Sequence, residues 1–119
     1  KDKIGFPVGL ETRNLGHLYS WMVKADYHPE YLMAPMNPLG YQMAPSKESS
    51  EKIVTELAER SKTIAINVLA SGAASLEESV RYLGSYKKHL YAVTTASVKP
   101  SRIYDNFCKL SGALLGDST

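Results

Sequence analysis

Four short apolar runs, each followed by a stretch of helical periodicity, constrain this chain more than anything else in it. The runs cover 4–10, 31–36, 63–69 and 90–95. Each has the length of a strand buried on both faces. Behind the first, Leu15, Leu18, Tyr19 and Met22 recur at helical spacing with Asn14 placed as N-cap, predicting a helix over 15–24. Behind the second comes a polar loop, then Ile53, Val54, Leu57 and Ala58 on one face of a helix over 47–60 that Ser46 can start. Behind the third, Ser75 and Glu78 form a capping-box pattern for a helix over 76–84 carrying Leu76, Val80 and Leu83, with Gly84 placed to end it. Behind the fourth, Pro100 sits where a first helical turn tolerates proline. Ile103, Phe107, Leu110 and Leu114 then predict the buried face of a helix over 100–115.

Strand and helix alternate along the whole chain, so 1–119 reads as one unit. Such alternation gives a parallel sheet with right-handed crossovers. The strand starts at 4, 31, 63 and 90 match the roughly 30 residues per unit of an eight-unit barrel of about 250 residues. The expected fold class is therefore α/β: four consecutive βα units with parallel strands, half of a TIM-type (β/α)8 barrel. A flavodoxin-like open sheet is the competitor. It carries a fifth strand and a Gly-rich phosphate loop after the first strand, and that turn is missing here. Four buried-type strands leave two open edges and one apolar face. The chain also enters a strand-like run almost at once and without a Met, as an excised piece would. The expected partner is a missing N-terminal half-barrel or a second copy of the chain.

Charge excludes other classes. The net charge is +2, and the fourteen Lys and Arg cluster nowhere beyond Lys87-Lys88, so no nucleic-acid footprint is expected. No apolar run reaches membrane-spanning length, and no secretory signal leads the chain. The single Cys108 excludes an internal disulfide and fits a reducing cytoplasm. Its apolar helical surroundings predict a buried thiol. His17, His28 and His89 are scattered without metal-ligand spacing. The Gly-x-Ser-x-Gly, P-loop, Cys-x-x-Cys and His-Glu-x-x-His motifs are all missing.

In a barrel, function sits on the loops that follow the strands, which selects four places. At Glu11 and Arg13, an acid and a base stand at a strand end and are the weak catalytic candidates; the alternative is an ion pair beside a helix cap. Asn37 opens a loop with turn punctuation, where it either binds a ligand amide or fixes its own turn. Asn67, Ser71 and Gly72 lie in a run of small residues that lets backbone approach a ligand ahead of a helix N-terminus. The strongest signal is the segment holding Thr95, Ser97, Lys99 and Arg102: hydroxyls, two cations and a helix N-terminus meet there, as in the phosphate site after the last strands of many barrels. A small phosphorylated ligand is the expected occupant.

With these units laid out, the chain resembles the C-terminal half of an aldo-keto-reductase-like barrel. Val8-Gly9-Leu10 is similar to the family's fifth strand, and Met36-Asn37-Pro38-Leu39 to its sixth-strand ending. Ile64-Ala65 through Leu69-Ala70-Ser71-Gly72 is similar to the seventh strand and its turn. Ser97-Val98-Lys99-Pro100 with Asp105-Asn106 is similar to the loop and helix that hold the cofactor's adenosine phosphate. The resemblance implies an oxidoreductase with NADP as cofactor, Ser97 and Lys99 on the phosphate, and Asn106 on the adenine. The chain departs from the family's pattern at Glu11 and Thr12, where a Ser-Asn pair grips the nicotinamide amide, and at Met33 and Ile66, which replace a Gln and a stacking aromatic. The family's catalytic residues lie in its first half, so the resemblance implies a piece inactive alone.

Overall fold

The computed structural model describes residues 8–95 and 100–115. They form β1 (Gly9–Glu11), α1 (Leu15–Ala25), β2 (Tyr31–Pro35), α2 (Lys47–Leu57), β3 (Lys62–Ile66), α3 (Leu76–Ser85), β4 (Ala92–Val93) and α4 (Pro100–Leu115). Single 3-10 turns at Ala70–Gly72 and Lys87–His89 lead into α3 and β4. The four strands make one sheet in the order β1-β2-β3-β4, and every neighbouring pair is parallel. The fold is thus α/β, with strand and helix alternating and each strand beside its sequence neighbours.

The register sorts the strand residues onto two faces, because paired residues in a parallel sheet point the same way. Leu10, Leu32 and Thr63 share a row, as do Ala34, Ala65 and Val93. That face meets the helices: Leu32, Ala34 and Ala65 are buried with Leu15 and Met22 of α1, Ile53, Val54 and Leu57 of α2, Leu83 of α3 and Leu110 of α4. Each fully buried Leu or Met here contributes about 1.5–3 kcal/mol. Rows of the other face hold Glu11, Met33, Ile64 and Ala92, and, toward the strand starts, Tyr31 and Lys62. None of them belongs to the core cluster, and Met33, Ile64 and Ala92 are half-buried. Pro35 and Ile66, paired on this same face, are buried too, and among the described residues none of the face joins the core cluster that holds the helices.

Local chemistry explains the helix starts. Asn14 accepts from the His17 backbone N–H, Ser46 from that of Ser49, and Ser75 from that of Glu78. Glu78 answers by accepting from the Ser75 backbone N–H, which completes the capping box. The long loop between β2 and α2 is pinned against α1 by a Gly16 N–H···Ala44 O bond of 3.3 Å. Gly16 permits this approach because a Cβ there would collide with the Pro45 ring.

Several expectations need correction. β3 ends at Ile66, and 67–69 are loop. Asn67 turns to φ 53° and takes the chain out of the sheet. β4 shrinks to two residues; Thr94 and Thr95 lie beyond it. α2 stops at Leu57, and Gly84 lies inside α3, which Tyr86 closes. Of the expected strand 4–10, Gly9 and Leu10 are in β1, which runs on to Glu11; 4–7 lie outside the described residues, as do Ser97, Lys99 and the tail 116–119. On α4, Leu110 is buried, but Ile103 and Phe107 are 52% and 68% exposed. Cys108 is exposed as well, not buried. The side chain of Leu114, the last of the expected stripe, lies outside the described residues.

Candidate functional site

The C-terminal ends of the strands surround a cavity of about 700 Å³. Residues from three places along the sheet border it: Arg13 after β1, a wall from Asn67, Ser71, Gly72 and Ser75 after β3, and Thr94, Thr95, Arg102 and Asn106 after β4. Arg13 reaches this space from the β1 edge by way of Gln42, whose Oε1 it shares with Asn67. Among the described residues, two guanidinium groups line this cavity and no carboxylate does.

At the β1 end, Glu11 and Arg13 form an ion pair at 3.4 Å, about half exposed on each side. Arg13 also donates to Gln42 Oε1. The same oxygen accepts from Asn67 Nδ2 at 2.7 Å, so Gln42 ties the turn after β1 to the turn after β3. Glu11 and Arg13 are therefore an ion pair beside the Asn14 cap, one of the two readings open from sequence. Gln42 was not marked by its local sequence. Its role appears only when three loops converge.

Asn37 is fully buried. Its Nδ2 donates to the carbonyls of Tyr41 (2.9 Å) and Asn67 (3.2 Å), and its Oδ1 accepts from the Tyr41 backbone N–H (2.8 Å). Its hydrogen-bonding groups are spent on holding two loops, and it does not border the cavity. Asn37 fixes its turn and braces the next one.

The β3–α3 turn forms one wall. Asn67, Ala70, Ser71 and Gly72 all have positive φ, from 52° to 92°. Only glycine adopts such angles freely, so Ala70 and Ser71 hold strained backbone beside the cavity. Asn67, Ser71 and Gly72 all line it. The N-terminus of α3, expected from sequence to attract an anion, is poorly suited to one. Ser75 and Glu78 satisfy each other there, and Glu77 and Glu78 already occupy the first turn. Glu77's own backbone N–H, then the Lys109 ammonium, hold its carboxyl below the usual range, keeping it charged.

The α4 side differs. Its first turn holds no acidic residue and carries Arg102, which has no carboxylate partner among the described residues. Thr94 and Thr95 stand at the β4 end, and Thr94 N–H donates to the Ala65 carbonyl at 2.9 Å. Asn106 lies one turn further along α4, only 5% exposed and bordering the cavity. Thr95, Arg102 and Asn106 are brought together; Ser97 and Lys99 lie outside the described residues.

Glu11 and Arg13 are engaged with each other, and Arg13 with Gln42. His28 and His89 precede β2 and β4, away from this mouth, and the His28 ring pairs with Arg60 at 3.2 Å. Among the described residues, no group of three or more His, Cys, Asp and Glu is placed to hold a metal ion, and no helix is long and apolar enough to cross a membrane. No family model, no curated protein and no solved structure matches this chain.

Proposed function

We propose that this chain is half of a (β/α)8 barrel that holds a phosphate-bearing small molecule at the loops after β3 and β4. The observation that carries the reading is the cavity of about 700 Å³ bordered by Arg13, Arg102 and Asn106, with no carboxylate on its walls among the described residues. A dianion placed there gains the Arg102 guanidinium, while Arg13 is already shared with Glu11 and Gln42. The consecutive parallel strand order supports the half-barrel part, since sequential crossovers of one hand put all helices on one side.

The role of this half is binding, not turnover. Glu11 and Arg13 are tied to each other, and no other acid–base pair lines the cavity among the described residues. The catalytic groups of such a barrel enzyme would come from its other four units. An aldo-keto-reductase-like oxidoreductase is the narrower form of the proposal; it rests on the resemblance at Ser97, Lys99 and Asn106.

Titration with inorganic phosphate and with a nucleoside 2′-phosphate, followed by calorimetry, tests the reading. Arg102→Ala is expected to weaken binding about 10- to 100-fold, the size of a lost charge-assisted bond of about 1.5–3 kcal/mol. Affinity unchanged in that variant would remove the site. Tighter binding of the nucleoside phosphate than of phosphate alone, lost in Asn106→Ala, is the result expected of a nucleotide cofactor.

A further inference from the structure

Arg13 borders the cavity while two acceptors outside it hold its guanidinium. Glu11 Oε2 accepts from Nη2 at 3.4 Å, with both side chains about half exposed; a pair of that kind is weak. Gln42 Oε1 accepts from Nη1. An arginine only donates, so the Gln42 atom that faces it must be the amide oxygen. Asn67, bonded to the same oxygen at 2.7 Å, must then present its Nδ2. A guanidinium has more N–H donors than these two bonds use, so Arg13 keeps some for a ligand. It also keeps its charge on the Gln42 side, because a neutral carbonyl holds it there. A carboxylate in the same place would hold it more tightly and neutralise it.

The chain fixes Gln42 from both sides, although its side chain lies at the surface. The Tyr41 backbone N–H and carbonyl are both bonded to the buried Asn37, at 2.8 and 2.9 Å. Met43 is buried, and its N–H donates to the Gly40 carbonyl at 3.1 Å. Between them Gln42 takes φ 59°, a left-handed conformation that a residue with a side chain rarely adopts. Gln42 itself does not border the cavity.

We propose that Gln42 is a positioning residue of the ligand site. As a neutral acceptor, anchored through Asn37 and Asn67, it keeps the charged Arg13 guanidinium on the cavity wall as a second cation for the ligand, in addition to Arg102. This rests on the phosphate-site reading above. Without Gln42, the acceptor left to Arg13 among the described residues is Glu11, which does not border the cavity and draws the guanidinium off the wall. With a carboxylate at position 42, Arg13 stays in place but its charge is cancelled. The two substitutions weaken binding for different reasons, one by position and one by charge.

The experiment is calorimetric titration of the full chain with inorganic phosphate, together with nitrogen NMR of the Arg13 guanidinium. Gln42→Ala and Gln42→Glu should each weaken phosphate binding about fivefold, the scale of one partly exposed charge pair. The Arg13 Nη signals should stay resolved in the unaltered chain and in Gln42→Glu, and merge in Gln42→Ala as the group rotates freely. In an Arg13→Ala background, Gln42→Ala should change affinity no further, because it acts through that arginine. A Gln42 that only tied loops together would behave otherwise: Gln42→Glu keeps the acceptor oxygen and would keep the affinity. That variant leaves both loops tied, so its result does not depend on how well Gln42→Ala folds. Unchanged affinity in Gln42→Glu, additive losses in the double variant, or a freely rotating Arg13 in the unaltered chain would each overturn the proposal. Phosphate binding that Arg102→Ala weakens and Gln42→Glu leaves alone removes the role of Gln42 only; an unaltered chain that binds no phosphate removes the ligand site and this role with it.

Discussion

At the scale of single residues, the groups that organise this molecule's functional end are the ones that do not touch its cavity. Asn37 is the clearest. It replaces with one side chain three hydrogen bonds that two loops would otherwise seek from water. Asn37→Ala should cost about 2–4 kcal/mol in urea unfolding, because it leaves the Tyr41 N–H and the Asn67 carbonyl short of partners in a buried place. A loss of a few tenths would mean that water takes over the amide's role. Tyr82 makes a second residue-scale case. Burial first, and then the hydrogen bond to Glu51 (2.6 Å), push its phenol above the ordinary value of 10.0. With the folded-state pKa raised, the phenol's contribution is full below pH 10.0. It drains away above that, as the unfolded chain sheds a proton the folded chain keeps. Between about pH 9 and pH 11, stability should fall less steeply in Tyr82→Phe than in the unaltered chain; equal slopes would show that other groups set the alkaline limit. Asn37 stood out in the sequence as a strand-end amide with two readings. Gln42, which joins Arg13 to Asn67, carried no signal, because its meaning depends on three loops separated by 25 and 29 residues meeting in space.

At the scale of elements, legibility followed whether the determining chemistry is local. The caps Asn14, Ser46 and Ser75 each act within three residues of themselves, so the starts of α1, α2 and α3 could be read from the sequence. The strand ends could not, because Asn67 leaves β3 by a backbone turn to φ 53° that apolar Val68 and Leu69 conceal. β4 is similar: Leu90 and Thr94 look like strand, but pairing with β3 reaches only Ala92 and Val93. The outer face of α4 failed for the opposite reason. Its periodicity correctly marks an apolar stripe, but periodicity does not say whether the neighbour that covers the stripe belongs to the same chain. The cap of α3 gives the element-scale prediction. Ser75→Ala removes both halves of the capping box and should destabilise the fold by about 1 kcal/mol, read as a lower urea midpoint at unchanged slope. A change in slope would indicate instead that α3 frays separately from the sheet, exposing Leu83.

At the scale of the whole molecule, the question is where cooperativity stops. β2 and β3 share five paired positions, while β1 meets β2 through three and β4 meets β3 through two. The helices repeat this gradient: the inner ones are covered on both flanks, while Trp21 and Phe107 of the outer ones face solvent. The chain should therefore exchange its edge amides through local opening, well before the centre unfolds. The Thr12 N–H, held by the Met33 carbonyl, and the Thr94 N–H, held by Ala65, are the reporters at the two edges. The N–H groups of Met36 and Lys62, bonded to Ile66 and Glu30, report on the centre. Exchange as slow at the edges as at the centre would describe instead a sheet that opens only as a whole.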